Sequence, residues 1–289
     1  MTERLLWERD GADWPNHAAS RFVQAAGMTW HVQIMGEGPV LLLVHGTGAS
    51  THSWRDLMPL LARHFSVIAV DLPGHGFTSP PEPRRMSLPG MAQDLAAVLA
   101  LLDVVPSVVV GHSAGAAILA RMCLDRLIHP KVLVSLNGAI VPLVAMPEEV
   151  FGPAARALVA CGWVPRLFAW QSRAPRALQR LIDSTGSKLD ARGVELYRRL
   201  AGNSGHVAAA LAMMANWGLR ALERDLPRLA VPLVLVVAGN DRTIPPGEAQ
   251  RVLRLVRGAR IVAIPGLGHL AHEEDPAAFV AAIREAADA

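Results

Sequence analysis

Apolar residues fall into two kinds of run along this chain. Some runs are short and unbroken, as in Val40 to Val44 (VLLLV), Val108 to Val110 and Val231 to Ala238. A run with no polar residue in the alternation reads as a parallel strand buried on both faces. Ser66 to Val70, Lys131 to Leu136 and Arg260 to Ile264 read the same way. Other stretches repeat at helical spacing: about Ser53 to His64, Ser87 to Leu102, Ala116 to Met122, Pro246 to Val256 and Asp275 to Ala287. Nearer the start, Arg21 to Ala25 and Met28 to Ile34 have strand character, and Ala26-Gly27 between them predicts a hairpin. Leu6 to Asn16, with two tryptophans and a proline, predicts an irregular arm laid on the body. Strands alternating with helices imply an α/β fold, a mostly parallel sheet with helices on both faces.

The alternation stops between Gly138 and Trp217. That span has no strand signal and several helical segments, broken at Pro142, Pro147, Pro153, Pro165 and Pro175. It reads as a helical cap inserted in the core, with 1–137 and 218–289 forming the core and 138–217 the cap. Trp163, Phe168, Trp170, Met213, Met214 and Trp217 suggest an apolar lining for the cap. Arg156, Arg166, Arg173, Arg176, Arg180, Arg192, Arg198 and Arg199 are interleaved. Most of these arginines read as the solvated faces of amphipathic helices; the competing reading is recognition of a substrate carboxylate through paired N–H donors.

Composition narrows the classes. With 289 residues, 52% hydrophobic and 18% charged, the chain can bury a large core and is not disordered. The net charge of +3 comes with no long basic run, which argues against nucleic acid as a partner. Cys123 and Cys161 lie in apolar helical settings and read as buried thiols in a reducing compartment. Met1 to Ser20 does not read as a signal peptide, and no 18-residue apolar run suggests a transmembrane segment, so a cytoplasmic location is expected.

The chemistry centres on Val108-Val109-Val110-Gly111-His112-Ser113-Ala114-Gly115, a strand running into G-x-S-x-G and then a helix. Strand, tight turn and helix are the context of a nucleophile elbow, which lifts the serine hydroxyl above the sheet. A serine nucleophile needs a base, and the base an orienting carboxylate. Asp241 follows the strand ending at Ala238, and His269 follows the strand ending at Ile264. All three would lie at the carboxyl ends of strands, where open α/β sheets carry their sites. His272 is the rival base, but reads as a surface or capping residue. The position after the preceding strand holds Asn137, which cannot carry the negative charge that stabilises an imidazolium. Two backbone N–H groups would stabilise an oxyanion, those of Ala114 and Thr47, the latter in the glycine-rich loop after Val44. His45, His75 and His112 read as loop supports. His269 and His272 have no clear further ligands, so neither a metal nor another cofactor is expected.

At these residues the chain resembles the α/β-hydrolase family. The matching pieces are HGTGAS (45–50), DLPGHGFTS (71–79), GHSAG (111–115), GNDRTIPP (239–246) and GLGHLAHEEDP (266–276). The resemblance implies an eight-stranded, mostly parallel sheet with a lid after the sixth strand. It also implies Ser113, Asp241 and His269 as the triad, with Thr47 and Ala114 as oxyanion donors. An aspartate nucleophile would have pointed to dehalogenase or epoxide hydrolase chemistry; Ser113 points to acyl transfer. More narrowly, WERDGADWPNHAASRFV (7–23) with the hairpin after it is similar to a branch of photosynthetic bacteria, the magnesium-chelatase accessory proteins of bacteriochlorophyll biosynthesis. That resemblance implies a functional link to magnesium chelatase, a porphyrin intermediate as a candidate apolar substrate, and the photosynthetic membrane surface as a second candidate location. Two readings stay open: a serine hydrolase acting on an ester or related acyl bond, and an accessory protein that binds a tetrapyrrole without turning it over.

Overall fold

The predicted strands form one eight-stranded sheet in a computed structural model, which describes residues 3–143 and 163–288. They are β1 (Ser20–Ala25), β2 (Met28–Met35), β3 (Val40–Val44), β4 (Ser66–Val70), β5 (Val108–His112), β6 (Val132–Leu136), β7 (Leu233–Ala238) and β8 (Arg260–Ile264). Their order is β1-β2-β4-β3-β5-β6-β7-β8. β1 and β2 pair antiparallel through the Ala26-Gly27 hairpin, whose φ angles of 52° and 73° are the left-handed pair a two-residue turn requires. β2 also runs antiparallel to β4, and every pairing from β4 to β8 is parallel.

The unbroken apolar runs have the cause inferred from the pattern: both faces of the sheet are covered. On one face Leu42, Val44, Val109, Leu133 and Leu235 pack in a core shared with two long helices, α3 (Leu88–Leu101) and α4 (Ala114–Leu124). On the other, Leu41, Leu43, Val110, Val134 and Val236 pack with Leu57, Leu61, Phe279 and Ile283. Those last four lie on α2 (Leu57–Leu61) and α12 (Pro276–Asp288). The arm contributes one short helix, α1 (Trp7–Asp10).

One predicted helix is cut short. Instead of a continuous helix over 53–64, a 3-10 turn over Thr51–Trp54 precedes α2, which starts only at Leu57. Pro59 accounts for this: it lacks an N–H and fits only in the first turn of a helix, so the helix restarts just ahead of it. Between β6 and β7 the α-helices among the described residues are α5 (Val164–Ser172), α6 (Pro175–Ser184), α7 (Ala191–Ala201), α8 (Ser204–Ala215) and α9 (Leu219–Asp225). The part of the expected cap at 144–162, with Pro147, Pro153, Arg156 and Cys161, lies outside the described residues. After β7 come α10 (Gly247–Leu255) and, after β8, the one-turn α11 (Ala271–Glu274) ahead of α12.

Backbone comes very close to backbone where α4 meets the sheet. A Cβ on Gly115 would stand 2.1 Å from the Val44 carbonyl oxygen and 2.7 Å from that of His45; one on Gly111 would stand 2.4 Å from the Ala116 nitrogen. Backbone fills both spaces and cannot yield as a side chain can. Gly115→Ala should therefore lower the unfolding free energy by about 3 kcal/mol or more in urea denaturation. Gly247→Ala is the control, because nothing lies within 4 Å of its new methyl, and its stability should stay within about 0.5 kcal/mol of the parent. Equal stability of the two variants would contradict the close approach.

Candidate active site

Ser113 follows β5 and caps α4 with φ 50° and ψ −118°, a backbone strained for any residue but glycine. The surroundings over-determine this conformation. Its N–H donates to the Leu136 carbonyl (3.0 Å), and its own carbonyl accepts from Ala116 (3.2 Å) and Ala139 (3.0 Å). The side chain sits half-buried at the carboxyl edge of the sheet.

Asp241 and His269 meet on the same edge. His269 Nδ1 donates to Asp241 Oδ2 at 2.8 Å, with the carboxylate side chain fully buried and the imidazole 8% exposed. Asp241 Oδ1 accepts the backbone N–H groups of Thr243 (2.8 Å) and Ile244 (2.9 Å), which fixes the carboxylate in the turn after β7. With Nδ1 carrying the proton, Nε2 is left as the acceptor that a general base needs.

The backbone of His269 is braced from three directions. Its N–H donates to Thr185 O (3.1 Å). Its carbonyl accepts from His112 Nε2 and from Asn137 Nδ2, both at 2.9 Å. Asn137 Nδ2 also donates to Gly268 O (3.1 Å), and its Oδ1 accepts from Ala238 N–H (2.8 Å). Asn137 thus ties the end of β7 to the histidine loop. The sequence offered this residue only as a failed acid; its bracing role depends on a loop more than 130 residues away.

His272 is not a surface or capping residue, contrary to expectation. It is 1% exposed, in tilted ring contact with His112 (centroids 4.4 Å) and Trp54 (4.7 Å). Neither ring nitrogen has a hydrogen-bond partner among the described residues, and burial drives its pKa down to about 3. Without a carboxylate to orient it and almost wholly enclosed, it is a poor general base.

The loop after β3 lies against the elbow: a Cβ on Gly46 would come within 2.8 Å of Ser113 Cβ. His45 Nε2 accepts the Leu72 N–H (2.9 Å), so the ring proton is on Nδ1, which donates to Gly46 O (2.7 Å). His75 Nδ1 donates to Pro73 O (3.0 Å). These histidines support loops, as the sequence suggested. Asp71 completes the scaffold, accepting Thr51 N–H (2.7 Å), Phe77 N–H (2.9 Å) and His31 Nδ1 (2.8 Å). Burial pushes its pKa up, but His31, His45 and the Phe77 N–H outweigh burial and hold it below the usual carboxylate range.

The helices between β6 and β7 depart from the expected apolar lining. Trp163 and Trp170 are 60% and 67% exposed, and Phe168 and Met214 are also exposed. Met213 is buried, and Trp217 packs half-buried on the core. Most of the arginines described there are engaged by nearby carboxylates: Arg173 with Glu3, Arg192 and Arg199 with Asp13, and Arg198 with Glu195. Residues near the chain's start, Glu3 and Asp13, supply three of these four pairings.

Comparison with known proteins follows the same lines. Residues 41–282 match the model of a family described as the alpha/beta hydrolase family. A magnesium-chelatase 30 kDa subunit from Rhodobacter capsulatus is 38% identical, over 91% of this chain and 92% of its own. A pyrrolizixenacetamide deacetylase from Xenorhabdus hominickii is 29% identical, over 87% of this chain and 91% of its own. Among solved structures, a serine hydrolase involved in carbazole degradation superposes with a TM-score of 0.74 at 23% identity, covering 92% of this chain and 97% of that one.

The buried histidines make stability depend on pH. His45, His52, His75, His112, His206 and His272 are all held below the ordinary imidazole value of 6.5, first of all by burial. Below pH 6.5 the unfolded chain binds protons there that the folded chain refuses, so stability falls with falling pH. Glu273 works the other way with one proton, because burial pushes it up to about 8 and the folded chain keeps a proton that the unfolded chain releases. The unfolding free energy should drop steeply from pH 6.5 to pH 5, at about 1.4 kcal/mol per pH unit for each net proton taken up. Urea denaturation across that range measures it, and a flat profile would contradict neutral, buried imidazoles.

Proposed function

The chain belongs to the alpha/beta hydrolase family, and from that premise we propose that it is a serine hydrolase cleaving an ester or related acyl bond of an apolar substrate. The observation carrying this reading is the buried 2.8 Å His269–Asp241 pair on the same sheet edge as the strained Ser113 elbow. Ser113 Oγ attacks the acyl carbon while His269 Nε2 takes its proton, and Asp241 holds the imidazolium that forms. The carbonyl electrons move onto oxygen, which the Thr47 and Ala114 N–H groups receive. Collapse expels the alcohol, which takes the proton back from His269. Water then attacks the acyl-enzyme with His269 again as base, releasing the acid and restoring Ser113. Each step uses side chains and backbone of this chain, with no cofactor.

Residues 138–217 act as the cap over this site. The magnesium-chelatase relative supports a place in magnesium-tetrapyrrole (bacteriochlorophyll) biosynthesis, with a porphyrin intermediate as substrate and a functional link to magnesium chelatase. The exposed Trp163, Leu167 and Trp170 share one helical face, and Arg176 and Arg180 on the next helix are also exposed, a combination that suits contact with an anionic photosynthetic membrane surface, where such a pigment would partition. The same relative, being named a subunit, favours a second reading: an accessory protein that holds the pigment unchanged.

Turnover of a short-chain p-nitrophenyl ester separates the catalytic roles. Ser113→Ala should lose about 10⁴–10⁶ in kcat, and Asp241→Asn about 10⁴, with circular dichroism unchanged. His272→Gln should cost far less than His269→Gln; the reverse order would move the base to His272. Protoporphyrin dimethyl ester separates the two pathway readings. Release of methanol, leaving the porphyrin propionate as the free acid, by the parent but not by Ser113→Ala supports hydrolysis; binding without methanol release in both supports the accessory role.

A further inference from the structure

Helix α8 sits on the loop that would carry the oxyanion. Its residues His206, Ala209 and Met213 share one face at i, i+3 and i+7, and all three are buried. Each touches a different part of the rim. His206 Nδ1 accepts the Gly76 N–H at 3.1 Å, which puts the ring proton on Nε2, and Nε2 donates to the Gly48 carbonyl at 3.0 Å. Ala209 fills the space beside Gly74, where a Cβ would lie 2.5 Å from its own. Thr47 Oγ1 donates to Met213 Sδ at 3.4 Å. The helix itself is anchored at its start by Asn203, whose Oδ1 accepts the His206 N–H at 3.0 Å.

The core holds the same loop from the other side. The Gly46 carbonyl accepts from His45 Nδ1 (2.7 Å) and from the Ala49 N–H (3.2 Å). A trans peptide points its N–H away from its carbonyl, so pinning Gly46 O aims the Thr47 N–H in the opposite direction. Gly48 lies at φ 77°, where a glycine peptide rotates with little penalty. The His206 bond to its carbonyl removes that freedom one residue past Thr47. Burial lowers the His206 pKa to about 4, so the ring stays neutral, able to accept and donate together, at neutral pH.

We propose that α8 is a working part of the oxyanion hole: His206 and Met213 are positioning residues that hold the Gly48 carbonyl and the Thr47 side chain so that the Thr47 N–H meets the developing charge beside Ser113. This rests on the reading of Ser113 as the nucleophile. It makes the helical insertion a determinant of turnover as well as of access. A ligand that displaced α8 would loosen an N–H whose value lies in being fixed before charge develops.

Two amide substitutions separate the halves of His206. Asparagine places a polar atom near Nδ1 and can still accept from Gly76; glutamine reaches toward Nε2 and can still donate to Gly48. The assay is kcat and KM on a p-nitrophenyl ester, with the Ki of an alkyl trifluoromethyl ketone. That ketone accepts Ser113 Oγ at its carbonyl carbon while the hydroxyl proton passes to His269, leaving an oxyanion that mimics the transition state. His206→Asn should lower kcat about 10- to 100-fold with KM little changed, short of the 10²–10³ that loss of a whole donor costs. Its Ki for the ketone should rise by a similar factor, and His206→Gln should recover most of both losses. Met213→Leu keeps the volume but removes the sulfur acceptor, and should lower kcat a few-fold with the same rise in Ki.

A merely structural role would lower the melting temperature of both His206 variants while leaving kcat and Ki at parental values; that result overturns the proposal, as does equal catalysis by the asparagine and glutamine forms. Failure of the underlying reading looks different. There the parent itself would show neither ester turnover arrested by Ser113→Ala nor slow tight binding of the ketone, and the proposal would fall with it.

Discussion

The close packing of α4 on β3 governs the rest of the molecule. Where the helix begins, the carbonyls of Val44 and His45 occupy the space a side chain at Gly115 would need. That contact forces the chain to turn from strand to helix within one residue, and Ser113 takes the positive φ that the turn demands. The strain is local and is offset by a core in which both faces of the sheet are apolar. A hydroxyl on such a turn stands clear of its own backbone. The same contact brings the loop after β3 alongside it, so one packing constraint sets both the candidate nucleophile and the candidate oxyanion loop.

Around that joint, the rim is assembled from neutral histidines. Loops at strand ends leave backbone donors and acceptors without ladder partners, and buried ones must be satisfied. A neutral imidazole offers a donor and an acceptor on opposite edges of a rigid ring. His45 joins Leu72 to Gly46, and His206 joins Gly76 to Gly48. His112 supports the His269 carbonyl. Burial keeps these rings uncharged, which preserves the two-sided bonding of His45 and His206 and ties the integrity of the rim to pH.

Much of this was legible in the sequence. The strands were readable because a sheet covered on both faces leaves unbroken apolar runs, and the elbow because its glycines answer a steric demand within five residues. The Asp241–His269 pair followed from placing both after strands. What was not legible depends on contacts distant in sequence. Asn137 looks inert until the 268–269 carbonyls arrive beside it. His272 looks exposed until Trp54 and His112 close over it. The outward-facing Trp163 and Trp170, and arginines taken up by Glu3 and Asp13, reflect how the insertion meets the arm. Amphipathic periodicity shows that a helix has two faces without saying what each will meet.

On this reading the setting of Ser113 activates its hydroxyl chemically. Treatment of the native protein with a fluorophosphonate, followed by peptide mass mapping, tests it most directly, because an unactivated serine reacts too slowly to be modified. An activated Ser113 should give a single stoichiometric adduct at that residue, lost on prior unfolding in urea. An unlabelled native protein, or a label spread over other serines with Ser113 untouched, would contradict it.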